Sequence, residues 1–146
     1  MNEIQQLKEA LSRTPLVLFA YLFGSRATNK AGNVSDWDIA VYIEENKLEA
    51  NPVWQKIKIE DHISLVLNTD RVQAIILNNL EAPLLSFNII NEGVVLKDSY
   101  RELREIFEWQ TLRRFHDWRY NLDRHMNADI LNRLTQSRFQ DGLQDF

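Results

Sequence analysis

Gly24-Ser25 ends the apolar run LVLFAYLF (16–23), and ten residues later Asp36 and Asp38 open a second apolar run, DWDIAVYIE. Carboxylates two positions apart on a strand point to the same side with Cα atoms ~7 Å apart, so both can converge on divalent cations. A pair of such ions about 3.5–4 Å apart can neutralise a triphosphate and set attacking and leaving oxygens in line. A glycine lets backbone approach a phosphate closely, and a serine hydroxyl with nearby N–H groups can hold terminal phosphates, particularly where a helix begins. Arg26 and Lys30 are chemically able to meet phosphate, although a solvated loop position is the commoner fate of such cations. The plainer reading of the same letters is a loop followed by a strand whose first solvent face is acidic. An Asp-x-Asp alone is weak; two apolar runs with Gly-Ser between them give it force.

The elements that must hold these residues can be read from periodicity. Ile4, Leu7 and Leu11 have helical spacing, and Pro15 precedes a run too short and too rich in β-branched and aromatic residues for an exposed helix, so 16–23 is expected as a buried strand. The spacer 24–35, with two glycines and two asparagines, suits a turn and a short helix that bring the next strand back beside the first. From Asp36 the alternation places Asp36, Asp38, Ala40 and Tyr42 on one face and Trp37, Ile39, Val41 and Ile43 on an oily one. Pro52 can open a helix in which Val53, Ile57, Ile63, Val66 and Leu67 recur to about Asn68. RVQAIIL (71–77) follows as a strand, then a helix from Pro83 stopped at Gly93, then a short strand VVLK. Ser99 and Glu102 have the spacing of a capping box for a long final helix carrying Leu103, Ile106, Phe107, Leu112, Phe115 and Leu122. The sum is an α/β or α+β chain with a small mixed sheet, flanking helices and a helical extension.

Composition narrows the chemistry. The 146 residues, 45% apolar and 26% charged, suit one globular domain with a real core. No apolar run approaches the ~20 residues a membrane helix requires and the N-terminus lacks a signal peptide's apolar segment, so a cytoplasmic protein is expected. With no cysteine, any metal must be held by oxygen or imidazole. The three histidines are scattered at 62, 116 and 125, which favours a hard, oxygen-bound cation over zinc. A net charge of −4 argues against general nucleic-acid binding. The stretch 101–138 nevertheless interleaves eight arginines with Phe107, Trp109, Phe115, Trp118 and Tyr120, a mixture favoured at protein contacts.

Taken together, FGSRATNKAGNVSDWDIAVYI resembles the signature of the polymerase-β-type nucleotidyltransferase superfamily: Gly-Ser, about ten residues, Asp-x-Asp. AIILNNLEAPLLSFNIINEGVVLKD further resembles the strand, helix and strand that close the minimal nucleotidyltransferase domain of MNT-type antitoxins, the small partners of HEPN-domain toxins. The resemblance spans about residues 4–98. It implies transfer of AMP from Mg-ATP to a tyrosine of the toxin, with Gly24, Ser25 and Arg26 on the nucleotide and Asp36 and Asp38 as catalytic ligands of Mg²⁺. It also implies a minimal domain over 1–98 and a partner-facing extension over 99–136; the weak periodicity of 137–146 suits a loose tail. The superfamily's third carboxylate, expected on the next strand, falls at Gln73. Glutamine cannot accept a proton at neutral pH and its amide oxygen is the weaker ligand, so loss of a base there costs ~10²- to 10⁴-fold.

Substitutes for that carboxylate are poorly placed. Glu44 lies six residues past Asp38, ~20 Å along the strand. Asp70 needs an irregular strand start, and Glu60 and Asp61 are expected to face water. An acceptor tyrosine, with a pKa near ~10, ionises more readily than a serine and suits a two-carboxylate enzyme. The alternative is an antitoxin that neutralises its toxin by sequestration through the long helix; a lesser one is a transferase for a small molecule. Trp37 is read as core, Tyr42 as either sheet packing or a neighbour of the nucleotide, and His62 as a surface residue. His116 and Asp117 diverge on a helix. Arg119 and His125 have the spacing of the RNase motif of HEPN domains, but that motif needs a helical bundle, which the α/β pattern of 1–98 disfavours.

Overall fold

A computed structural model describes residues 2–144 apart from 31, 33 and 34, with side chains left out at 131 and from 137 onward. The order is α1 (Glu3–Ser12), β1 (Val17–Phe23), β2 (Trp37–Ile43), a 3₁₀ turn (Glu45–Lys47), α2 (Val53–Leu67), β3 (Val72–Ile76), α3 (Pro83–Glu92), β4 (Val94–Asp98) and α4 (Arg101–Gln144). The four strands form one mixed sheet in the order β3-β2-β1-β4, antiparallel except for the β2/β3 pair. That parallel pair is joined by α2, the helical crossover such a pairing requires.

Both faces of the sheet are covered. Trp37, Ile39, Val41 and Ile43 of β2 pack with Leu7 and Leu11 of α1 and with Ile59 and Ile63 of α2. The opposite face, expected to be the less oily one, buries Ala40 completely and packs Tyr42, Phe19 and Tyr21 against Ile89 of α3 and Phe107 of α4. Tyr42 stacks on Phe19 with centroids 4.7 Å apart and donates to Glu45 Oε1 at 2.9 Å. Its place is sheet packing, and burial together with Glu45 pushes its pKa up to about 12.

Several local expectations change in three dimensions. On α2 the buried residues are Gln55, Ile59 and Ile63, while Val53 and Val66 lie exposed. Gln55 is at home inside because its amide takes up Lys47 O (2.8 Å) and Glu49 N–H (3.1 Å). Glu60 does not face water: its Oε2 accepts the N–H of Ala74 at 2.9 Å, on the open edge of β3. His62 Nε2 lies 3.1 Å from Ala10 O, which ties α2 to α1. The Ser99–Glu102 capping box does not form, since Ser99 N–H continues the sheet to Leu18 O and Tyr100 O receives the first helical bond, from Arg104 N–H.

α4 spans 44 residues, ~66 Å at 1.5 Å per residue. Its first half completes the domain. Phe107 packs on Phe19, Phe115 stacks on Phe87 at 4.0 Å, and Tyr21 donates to Glu108 at 2.7 Å. Arg104 pairs with both Asp98 (3.0 Å) and Glu108 (2.8 Å). Beyond Trp118 the helix projects, carrying Tyr120, Leu122, Met126, Ile130 and Leu134 exposed among charged neighbours. The helix is continuous through Gln144, so the backbone of the expected tail is helical up to that point; 145–146 lie outside the described residues.

Candidate nucleotide site

β1 ends at Phe23, whose register partner on β2 is Asp38. The chain must then turn sharply away, and Gly24 does so with φ 75°, the left-handed region that glycine enters without a steric penalty. A Cβ on Gly24 would also collide with Asp38 Oδ2. Glycine is therefore required twice, by the turn and by the approach of the carboxylate to the backbone.

Residues 25–29 form consecutive turns in place of the expected short helix, closed by Ala27 N–H to Gly24 O (3.1 Å) and Lys30 N–H to Ser25 O (3.0 Å). Asn29, at φ 59°, takes the left-handed position that lets the segment double back. Ser25 thus sits in the first bend after the strand, half-buried beside Gly24. Arg26 is occupied elsewhere. Its Nε and Nη2 donate to Ser35 O at 3.0 and 2.9 Å, and its guanidinium lies 4.1 Å from the centroid of Trp37. Here Arg26 fastens the far end of the loop, with Trp37 buried beneath it. Lys30 is exposed.

Asp36 and Asp38 flank Trp37 and share a face. Burial first, and the nearby Asp36 second, raise the pKa of Asp38 above the ordinary carboxylate range. Both causes disfavour the charged carboxylate. Two oxygen donors held at the end of a rigid strand, beside a backbone stripped of its Cβ, fit a hard divalent cation with phosphate oxygens. Among the described residues no group of three or more His, Cys, Asp and Glu gathers to hold a metal.

Gln73 lies where the strand pattern put it. β3 runs parallel to β2 with Asp38 opposite Gln73 and Trp37 opposite Val72. Asp36, Asp70, Arg71, Val72 and Gln73 line a hollow of about 220 Å³. Arg71 Nη1 stands 3.7 Å from Asp36 Oδ1, a neighbour that sequence reasoning did not single out. Period-two alternation from Gln73 could have found it, given the register. Glu44 lies past the far end of β2, paired with Lys47. A larger cavity of about 490 Å³, lined by Leu77, Pro83, Ser86, Phe107, Thr111 and Arg114 among others, opens at that opposite end of the sheet. His116, Asp117, Arg119 and His125 lie exposed along α4 and take no part.

Comparison with known proteins gives this arrangement a lineage. Residues 5–102 match the family model described as polymerase beta, nucleotidyltransferase. A chain in a crystal structure of a toxin-antitoxin with AMP-PNP superposes with a TM-score of 0.70 at 20% identity, over 89% of this chain and 99% of that one. A chain of the toxin-antitoxin MntA-HepT gives 0.63 at 18%, over 88% and 97%. One from a complex of a tri-AMPylated Shewanella oneidensis HEPN toxin with MNT antitoxin gives 0.63 at 17%, over 87% and 98%. No curated protein matches the sequence. The folds agree along nearly the whole of those chains, and the family match spans both runs of the Gly-Ser…Asp-x-Asp frame: the chain belongs to the polymerase-β nucleotidyltransferase family.

Proposed function

We propose that the protein is an MNT-type antitoxin that transfers AMP from Mg-ATP to a tyrosine of a HEPN-domain RNase toxin in the cytoplasm, and binds that toxin through α4. The observation that carries the proposal is the fit of Gly24 against the Asp38 carboxylate, with Asp36 beside it at the mouth of β2. In this reading Gly24 and Ser25 receive the triphosphate, and Asp36 and Asp38 hold the Mg²⁺, which supplies charge neutralisation at the phosphates. The tyrosine oxygen forms a bond to the α-phosphorus, the bond from that phosphorus to the bridging oxygen breaks, pyrophosphate leaves, and the phenolic proton passes to solvent. Arg26 keeps the loop in place by its hold on Ser35 O and Trp37.

The experiment is intact-mass measurement of a co-expressed HEPN partner. Increments of one AMP are expected with the wild type, and none with Asp36→Asn/Asp38→Asn. A wild type that neither binds ATP nor labels the partner while still suppressing toxicity points to the second reading, neutralisation by sequestration. One observation favours that reading: Gln73, exposed opposite Asp38, cannot serve as a base.

A further inference from the structure

We infer that the hollow at the C-terminal ends of β2 and β3 is a second binding site, for a phosphorylated sugar, free or as part of a nucleotide. It holds about 490 Å³, within the ~300–1,000 Å³ of pockets that enclose small molecules. It lies at the other end of the sheet from Asp36 and Asp38. Its floor is fixed by the Asn78 amide, which clamps the end of β2: it accepts from Ile43 N–H at 2.9 Å and donates to Ile43 O at 2.7 Å.

Three groups there suit an anion. The first is the N-terminus of α3, where Ala82 supplies no side-chain cap and Pro83 begins the helix; both residues line the hollow. The positive end of a ten-residue helix is thus left to whatever enters. The second is Ser86, which is 9% exposed and spends its N–H on Ala82 O at 2.9 Å. Its hydroxyl, in the wall of the hollow, has no hydrogen-bond partner among the described residues. Buried hydroxyls are ordinarily bonded, as that of Thr111 in the same lining is, donating to Phe107 O at 2.8 Å. The third is Arg114, whose exposed guanidinium has no ion pair among the described residues. Helix N-terminus, hydroxyl and planar guanidinium together match phosphate oxygens.

Two carboxylates define the rest of the ligand. Glu81 and Asp117, both exposed, belong to the same lining. They repel a bare polyanion but accept hydrogen bonds from hydroxyl groups. Leu77, Leu80 and Phe107 offer apolar surface to a carbon skeleton. A phosphate carried on a hydroxylated ring satisfies both sets, whereas inorganic phosphate satisfies only the first.

The test titrates the full chain, free of divalent cations, with ribose 5-phosphate, AMP, inorganic phosphate and ribose, followed by calorimetry and amide chemical shifts. Ribose 5-phosphate or AMP is expected to saturate below about 1 mM, roughly tenfold tighter than inorganic phosphate, with shifts centred on 80–86 and 111–117; ribose is expected not to bind. The tighter of the two ligands separates a free sugar phosphate from a nucleotide. Ser86→Ala and Arg114→Gln are each expected to weaken binding roughly tenfold, as loss of one charge-assisted hydrogen bond does. Without ligand, Ser86→Ala is expected to melt no lower than wild type, because its hydroxyl bonds to nothing in the protein. Asp36→Asn/Asp38→Asn, which should abolish AMP transfer, is expected to leave this binding intact, so the two readings fail separately. The site is overturned by no saturation with either ligand, by inorganic phosphate binding as tightly, by shifts centred on 24–38, by unchanged affinity in both variants, or by a lowered Tm in Ser86→Ala.

Discussion

Placing a methyl group on Gly24 separates two demands that coincide at that residue. In Gly24→Ala the backbone must keep φ near 75°, which costs a non-glycine residue about 1–2 kcal/mol. The new Cβ must also displace the Asp38 carboxylate, at about 0.5–1.5 kcal/mol for a side chain pushed off its rotamer. The two together come to about 2–3 kcal/mol, or roughly 5–10 °C in Tm for a chain of this size. Asp38→Ala removes the steric term and leaves the backbone term, so the cost of Gly24→Ala should fall to about 1–2 kcal/mol in that background. Urea unfolding followed by circular dichroism on the four members of the cycle gives the coupling energy, expected at about 1 kcal/mol. A coupling of zero would mean that Gly24 answers only to the turn and that the Asp38 carboxylate does not press on it; the cradle would then lose its basis.

Other consequences are open to direct measurement. Because the pKa of Asp38 is raised on folding, the folded chain binds more protons than the unfolded one as pH climbs from the ordinary carboxylate value through the raised one. Stability contributed by this residue therefore falls with rising pH in that window, and Asp38→Asn should flatten the decline and melt slightly higher than wild type at pH 7 without metal. A steeper decline in the variant would show the sign to be wrong. Arg26→Ala loses two hydrogen bonds to Ser35 O and the contact with Trp37, and should cost about 1–2 kcal/mol, with amide exchange rising across 27–36; unaltered exchange there would mean that the loop is held by something else. Ending the chain at Tyr120 should leave Tm within about 2 °C of wild type, since Phe107 and Phe115 remain in place, while toxin capture in a pull-down is lost. Ending it at Lys97 should lower stability by about 3–6 kcal/mol, since that cut strips two aromatic side chains from the core, each contributing about 1.5–3 kcal/mol, out of a total of about 5–15 kcal/mol.

The parts legible in the sequence were those set by short-range pattern. Alternation alone put Asp36 and Asp38 on one face of β2 and Trp37 on the other, and Pro83 and Gly93 bracketed α3. The parts that escaped depend on neighbours remote in sequence. Ala40 and Tyr42 are covered because α3 and α4 return to that face. Val53 and Val66 match a helical stripe yet lie in solvent, while Gln55 goes inside because two backbone groups near the 3₁₀ turn satisfy its amide. Glu60 was assigned to water for want of knowing that β3 is an edge strand with an N–H to offer. Arg71 became visible only through the parallel register that sets it across from Asp36.

The projecting half of α4 bears on kinetics. Tyr21, on the strand that leads into Gly24, is hydrogen-bonded to Glu108, so the helix that bears the arm is tied to the strand that bears the site. A partner gripped by that arm meets the nucleotide as part of the same molecule, at an effective concentration set by tether geometry and of order mM when the span is matched. Labelling of such a partner would be insensitive to dilution until the complex itself dissociates. A weak transferase can then suffice, because residence time on the arm compensates for a slow chemical step.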